Sequence, residues 1–277
     1  MSTFPTTTTL LRFGPQDDQW VYDKGTRRYD LTRGAPGPKY AISAKRGPPD
    51  TTLWLAPTLT ALVVVDMQNF FLHPRCNDHP SGLAAVDRML EAVKKCRESG
   101  VKIIWLNWGL TDDDVASMPA AASRSFSSSL ITPPLDNKQA RYGFGSDMGD
   151  DRGRLLISGS WNADLYDPLK EVAEPGSDIF CDKDRISGLW NSKTSLARTI
   201  EAHGFRTLLF AGVNTDQCVL GTLTDAYYRG LDCIMVEDCC ATKTPGGQDV
   251  TIHNTSRGYG FVIDTESFVQ SQPVQPD

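Results

Sequence analysis

The sequence predicts a doubly wound α/β fold, in which a mostly parallel sheet carries helices on both faces. One pattern occurs three times: a segment with apolar residues at helical spacing ends at a glycine, and a short apolar run follows. It is found at "VDRMLEAVKKCRESG" before "VKIIWLN", at "LARTIEAHG" before "FRTLLFAGV", and at "LGTLTDAYYRG" before "LDCIMVED". Helices that alternate with apolar strands are typical of a parallel sheet covered on both sides.

The elements follow one another from Ala61. The run "ALVVVD" is the first predicted strand of the sheet, and its continuous apolar character indicates burial on both faces. A helix is predicted over 86–98, because its apolar residues recur at helical spacing, and Gly100 ends it. The runs "VKIIWLN", "DIFC", "FRTLLFAGV" and "LDCIMVED" supply the next strands.

The chain divides into an arm and one domain. Residues 1–57 are rich in Thr, Pro, Gly and charge, and we interpret them as an N-terminal arm that lies over a domain spanning 58–277. Within that domain, residues 109–155 interrupt the alternation of strands and helices. Long loops in compact domains are usually functional or disordered. A lid, a subunit contact and a surface excursion remain open interpretations of this insertion.

Composition favours a small-molecule partner. The chain has 277 residues, with 28 basic and 34 acidic side chains, and its net charge of -6 is the wrong sign for a nucleic-acid or acidic-membrane surface. No apolar run approaches the length of a membrane span. The first residues lack the basic start and apolar core of a signal peptide, so we expect a cytoplasmic protein.

The cysteines and histidines indicate neither disulfides nor a metal site. Seven cysteines are present, with no CxxC pair, and the four histidines form no HxH or HExxH motif. We therefore expect free thiols, no metal and no cofactor.

Four polar or reactive side chains lie just beyond predicted strands: Asp66, Asn107, Lys183 and Cys218. Each has an ordinary explanation, since an Asp after a strand often caps a helix, a Lys is usually solvated, and a buried Cys is usually inert. In a parallel sheet, however, ligands bind beyond the carboxyl ends of the strands. Because an acid, a base and a thiol share that edge, we interpret Asp66, Lys183 and Cys218 as a catalytic site.

Cys218 precedes a segment with helical spacing and is therefore predicted in the first turn of a helix. There the helix dipole and the free backbone N–H groups favour a thiolate, so we expect a lowered pKa for this thiol. The same N–H groups can receive an oxyanion.

Three motifs, "ALVVVDMQNFF", "CDKDRISGLWNS" and "AGVNTDQCVLGTLTDAYYRGLDCIMVEDCCAT", resemble those of the isochorismatase-like cysteine hydrolases, in order across about residues 59–268. The resemblance implies a triad of Asp66, Lys183 and Cys218, and a cis peptide between Val213 and Asn214. It also implies an oxyanion hole formed by the N–H groups of Asn214 and Cys218. The expected reaction is hydrolysis of a non-peptide carbon–nitrogen bond through a thioester.

Within the family, the pattern is most similar to that of the ureidoacrylate amidohydrolases, with carbamoylsarcosine amidases as a related type; "IIWLNWG" and "KDRISG" carry this similarity. Nicotinamidases have a metal-binding Asp-x-His after the second strand, which is absent from "LNWGLTDDD". Isochorismatases generally lack the nucleophilic cysteine. The chain departs from the ureidoacrylate pattern at Ile186 and Leu220, where that subgroup tends to have Tyr and Glu, and this leaves the substrate open.

Five residues are candidates for substrate binding, because they could bind an amide, cover a flat ureido group or hold a carboxylate: Asn107, Trp108, Trp161, Arg185 and Trp190. Each Trp could equally be a packing residue. Two alternatives remain, a family hydrolase of another bond class and a catalytically silent binding or assembly protein. A flavodoxin-like nucleotide binder is disfavoured, because no glycine-rich loop follows the first strand. By analogy with the family, we expect a homo-oligomer, a dimer or tetramer.

Overall fold

The computed structural model describes residues 9–127 and 143–274. Its strands are, in chain order, β1 (Leu10–Phe13), β2 (Trp20–Asp23), β3 (Arg28–Asp30), β4 (Tyr40–Ser43), β5 (Thr52–Leu55), β6 (Thr60–Val65), β7 (Lys102–Trp108), β8 (Ile179–Lys183), β9 (Thr207–Val213), β10 (Asp232–Ala241), β11 (Gly260–Ile263) and β12 (Gln272–Pro273). Its α-helices are α1 (Asn69–Leu72), α2 (Pro80–Ser99), α3 (Asp112–Ala116), α4 (Ala120–Ser125), α5 (Asp167–Val172), α6 (Ser195–His203), α7 (Leu220–Tyr228), α8 (Gly247–Asn254) and α9 (Thr265–Gln270).

The larger part of the core surrounds a six-stranded parallel sheet in the order β11-β10-β9-β6-β7-β8. Every residue of β6 and β9 is buried, which requires cover on both faces of the sheet. Helix α2 contacts β7, β9 and β10, while α6 contacts β8 and α7 contacts β10. The predicted α/β class with a mostly parallel sheet is confirmed.

The strand order reverses at β6. The chain runs outward from β6 through β7 to β8 and then returns to the other side of β6 to form β9. Such a reversal opens a crevice at the carboxyl ends of the two central strands, because the connections on either side leave in opposite directions. The ends of β6 and β9 are therefore where a ligand site is expected.

Helix α2 begins six residues before the predicted start at 86, at Pro80. The His79 side chain caps it by accepting a hydrogen bond from the Gly82 N–H, and Pro80 occupies the first turn, where no N–H is needed. Gly100 ends the helix at φ 81°, as the sequence predicts. The six added residues, PSGLAA, are small apart from Pro80 and Leu83, so they lack the pattern of large apolar residues on which the prediction depended.

The segment predicted as an arm contains strands that the sequence analysis did not predict. Strands β1 to β5 join β12, from the far end of the chain, in a second sheet of order β1-β2-β3-β5-β4-β12. These strands have only three or four residues each, too few for a clear alternation of polar and apolar side chains. The division at residue 57 itself stays a prediction.

The second sheet is attached to the first through Asp232, the first residue of β10. The Arg33 guanidinium donates to both oxygens of this buried carboxylate, at 2.6 and 2.8 Å. The Trp20 indole N–H and the Thr207 hydroxyl also donate to it, each at 2.7 Å. Trp20 and Arg33 come from the N-terminal segment, whereas Asp232 belongs to the parallel sheet. Their hydrogen bonds therefore hold the N-terminal strands against the amino-terminal edge of that sheet, opposite the expected site.

The predicted insertion 109–155 begins with the short helices α3 and α4, and its middle, 128–142, lies outside the described residues. Its role stays open. No helix within 9–127 or 143–274 is long and apolar enough to cross a membrane.

Candidate active site

Asp66 follows the last residue of β6 and is completely buried. Its backbone N–H donates to the Leu106 carbonyl oxygen at 2.9 Å, and its φ of 53° lies in the left-handed region. Non-glycine residues adopt that region uncommonly, with Asp among the more tolerant types. The turn places the carboxylate in the crevice beside the end of β9.

Cys218 lies in a π-helical turn, Thr215–Val219, between β9 and α7. The approach of β9 to β6 requires glycine at 212, where φ is 117° and a Cβ would lie 2.0 Å from the Val65 carbonyl oxygen. This close approach brings the turn that carries Cys218 next to Asp66. The Val213–Asn214 peptide bond, which leads into the turn, is cis.

Lys183, the last residue of β8, lies between the other two side chains. Its Nζ is 3.0 Å from Asp66 Oδ2 and 3.5 Å from Cys218 Sγ, and it also donates to the Arg185 carbonyl oxygen at 3.1 Å. Lys183 and Cys218 are each 3% exposed. The structure therefore brings together the acid, the base and the thiol that the sequence predicted at one sheet edge.

Burial and charge set the protonation of the site. Burial, followed by the neighbouring Asp66 carboxylate, raises the pKa of Cys218 to about 12, while Lys183 and the Trp108 indole act in the opposite direction. The predicted lowering of this pKa was wrong, because loss of solvation outweighs the helix terminus. The resting thiol is protonated at neutral pH, and attack by sulfur requires a base.

Burial also raises the pKa of Asp66, and the Lys183 ammonium opposes this shift. A carboxylate that holds a proton more readily than usual is better matched to a thiol as a proton acceptor than an ordinary, exposed Asp.

Trp108, one of the five candidates for substrate binding, lies at the site. Its buried ring covers Lys183, with Nζ 3.8 Å from the ring centroid. Phe126 and Phe144 pack on this indole, each 5.1 Å away between ring centroids, and stack on each other at 4.3 Å. Both come from the predicted insertion, so the described ends of that insertion contact the indole that covers Lys183.

Asn107, another of the five candidates, directly precedes Trp108 on β7. Side chains alternate along a strand, so Asn107 points to the face of β7 opposite Trp108. It lines a cleft of about 450 Å³ together with Trp108 and with Asp182, its neighbour on β8. Substrate binding by Asn107 stays a prediction.

The other three candidates are engaged elsewhere. Trp161 packs against His73 and the Arg75 guanidinium, with centroid distances of 4.9 and 4.8 Å. The Arg185 guanidinium is paired with Asp184 at 3.1 Å, and its carbonyl oxygen, not its charge, contacts Lys183. Trp190 is 46% exposed and donates to Asp184 at 2.9 Å. Substrate binding by Trp161, Arg185 or Trp190 stays a prediction.

Sequence reasoning missed four residues around the site. Gln68 joins β7 to the loop before α5 by donating to the Trp108 and Ala163 carbonyl oxygens and accepting from the Trp108 N–H. His79 binds the Asn214 side chain. The pair His79–Pro80 could have marked the start of α2, because proline is common in the first turn of a helix. No such local signal marks Phe126 or Phe144.

No group of three or more His, Cys, Asp or Glu side chains within the described ranges is arranged to hold a metal ion. The predicted absence of a metal and of a cofactor stays a prediction.

Comparison with known proteins identifies similar chains over most of this length. The family model of the Isochorismatase domain matches residues 60–267. The ureidoacrylate amidohydrolase RutB of Acinetobacter baylyi is 30% identical over 224 residues, which are 78% of this chain and 85% of that protein.

Two solved structures have the same fold. The N-carbamoylsarcosine amidase of Thermoplasma acidophilum superposes with a TM-score of 0.55 at 25% identity, covering 75% of this chain and 96% of its own. A cysteine hydrolase from Pseudomonas syringae pv. phaseolicola superposes with a TM-score of 0.62 at 19% identity, covering 78% and 93%.

Proposed function

The chain belongs to the isochorismatase family, and from this premise we propose that it is a cysteine-dependent amidohydrolase of small amide, ureido or carbamoyl compounds. The bond cleaved is a carbon–nitrogen bond other than a peptide bond. That reaction class is the one to which the similar ureidoacrylate amidohydrolase and N-carbamoylsarcosine amidase belong by name.

The observation that carries the proposal is the buried contact among three side chains. Lys183 Nζ lies within 3.0 Å of an Asp66 oxygen and 3.5 Å of Cys218 Sγ. A thiol whose pKa is about 12 cannot act as a nucleophile unaided, and the adjoining carboxylate is the base that it needs. The Lys183 ammonium can balance the negative charge both when it is on the Asp66 carboxylate and when it is on the Cys218 sulfur.

The reaction then proceeds in two halves. The Asp66 carboxylate takes the thiol proton, and Cys218 Sγ forms a bond to the substrate carbonyl carbon. The N–H groups of Asn214 and Cys218 receive the oxyanion, and the carbon–nitrogen bond breaks as Asp66 returns the proton to the departing nitrogen. In the second half, water gives a proton to Asp66 and attacks the thioester, and the released sulfur recovers that proton.

Two alternatives predict different outcomes. A family hydrolase of another bond class would turn over substrate without releasing a nitrogen product. A silent binding or assembly protein would leave every amide intact. The departures at Ile186 and Leu220 concern the choice among substrates and not the three reacting side chains.

A substrate panel tests the proposed function. We expect ammonia release from at least one of ureidoacrylate, N-carbamoyl amino acids such as N-carbamoylsarcosine, and biuret, and little from nicotinamide. A terminal ureido group has two carbon–nitrogen bonds. Cleavage of one releases ammonia directly, and cleavage of the other releases carbamate, which decomposes to ammonia and CO2. One ammonia assay therefore detects both routes. No ammonia from any ureido, carbamoyl or simple amide substrate would contradict the proposal.

The raised pKa of Asp66 predicts the acid limb of the pH profile. Asp66 accepts the thiol proton only when it is ionised, and burial moves its pKa above the ordinary value of about 3.9. Activity should therefore fall as the pH is lowered through an inflection above about 3.9. Plots of kcat/KM against pH measure it, with unfolding monitored over the same range. An inflection at or below the ordinary Asp pKa, in protein that remains folded, would argue against Asp66 as the base.

A further inference from the structure

His79 connects the start of α2 to the turn that carries Cys218. Its side chain is fully buried, and Nδ1 accepts a hydrogen bond from the Gly82 N–H at 2.9 Å. On the other side of the ring, Nε2 lies 2.9 Å from Asn214 Oδ1. One imidazole therefore bridges two elements that are 135 residues apart in the chain.

These two contacts determine where the ring carries its proton. Because Nδ1 accepts from a backbone N–H, it carries no hydrogen, and the neutral ring holds its proton on Nε2. Nε2 then donates to Asn214 Oδ1, which fixes the orientation of the Asn214 amide. Burial lowers the pKa of His79, which agrees with a neutral ring.

The turn after β9 is held from several directions by hydrogen bonds between side chains. Thr215 donates to Gln248 on α8, and Asp216 accepts from the Thr242 hydroxyl at 2.6 Å. Both of these partners follow β9 in sequence. His79 contacts the residue immediately before the turn, Asn214, and does so from the opposite end of the domain's sequence.

We propose that His79 is a positioning residue, which holds the Asn214 side chain so that the backbone N–H of Asn214 faces the developing oxyanion. The inference rests on the proposed function, since it concerns the oxyanion hole of that reaction. His79 contacts neither substrate nor Cys218; its effect passes through Asn214.

Two substitutions separate the two hydrogen bonds of the ring. In His79→Asn, the shorter amide oxygen reaches the position of Nδ1 and preserves the helix cap, for which Asn is well suited, but the donor to Asn214 is lost. In His79→Gln, the longer side chain carries an N–H to the position of Nε2 and preserves the donor, while the cap is lost. If His79 had only a structural role, His79→Asn, which keeps the helix cap, would retain turnover, and His79→Gln, which loses the cap, would not.

We expect His79→Asn to lower kcat by on the order of tenfold to a hundredfold, less than the loss of a whole oxyanion donor, with KM little changed. Its thermal midpoint should stay near that of the wild type, and iodoacetamide should alkylate Cys218 at the wild-type rate, because that displacement forms no oxyanion. His79→Gln should recover much of the lost turnover despite a lower thermal midpoint.

The inference alone is overturned if the wild type hydrolyses amides and His79→Asn retains the wild-type kcat. It is overturned equally if His79→Gln loses as much turnover as His79→Asn, or if alkylation of Cys218 slows in parallel with turnover. Absence of ammonia release by the wild type itself would instead refute the proposed function, and this inference with it.

Discussion

Replacement of Cys218 by alanine is expected to lower kcat by about 10⁴-fold or more, as loss of a catalytic nucleophile does in other hydrolases that form an acyl-enzyme. Sγ is the atom that would bond to the substrate, and Asp66 and Lys183 cannot replace it. Because only a thiol is removed from a buried position, the fold should persist with a loss of about 1 kcal/mol in the free energy of unfolding. Steady-state ammonia release and thermal unfolding measure the two effects.

Cys233→Ala is the matched control. Cys233 is buried like Cys218 and its pKa is also raised by burial, but it is the second residue of β10, at the opposite end of the sheet. This variant should keep its turnover. Acid quenching of the wild type during turnover should further trap an acyl group on Cys218, detectable by peptide mass spectrometry. Turnover by Cys218→Ala within tenfold of the wild type would refute the thioester mechanism.

Asp66→Asn should lower both activity and stability. Loss of the base that takes the thiol proton is expected to reduce kcat by about 10² to 10⁴-fold. The substitution also leaves the Lys183 ammonium buried without its carboxylate, since both side chains are almost inaccessible to solvent. We expect the free energy of unfolding to fall by about 3 kcal/mol, measured by denaturant titration.

The double variant Asp66→Asn/Lys183→Met separates the two effects. It removes the unpaired charge together with the base, so part of the lost stability should return while kcat stays at or below that of Asp66→Asn. If turnover recovered with stability, the loss in Asp66→Asn would be a folding defect, and Asp66 would not be the base. If Asp66→Asn alone kept a near-normal kcat, the assignment would fail directly.

Much of the fold was predictable because its signals are local. The apolar run before Asp66 and the glycines after the helices mark strands and helix ends within a few residues, and the parallel sheet that they predict is confirmed. The family predicted from three motifs is also confirmed by the match over 60–267. The N-terminal sheet was missed, since its strands are short and two of their partners, β12 and Asp232, come from the far end of the chain.

Asn107 illustrates the limit of reasoning from strand ends. Its place at the carboxyl end of β7 predicted a position in the site, whereas the alternation of side chains along the strand turns it to the face opposite Trp108. One residue further, Trp108 points toward Lys183. The end of a strand can be read from a pattern, but which of its last two residues faces a crevice depends on register and on what covers each face.

Patterns in the sequence predict the parallel sheet and the edge at which Asp66, Lys183 and Cys218 meet, but not the N-terminal sheet. Packing sets the protonation and surroundings of these side chains: the high pKa of Cys218, the aromatic cover from the insertion and the contact of His79 with Asn214. Periodicity and turns arise from neighbours along the chain, whereas desolvation and hydrogen-bond partners arise from segments that packing brings together across more than a hundred residues.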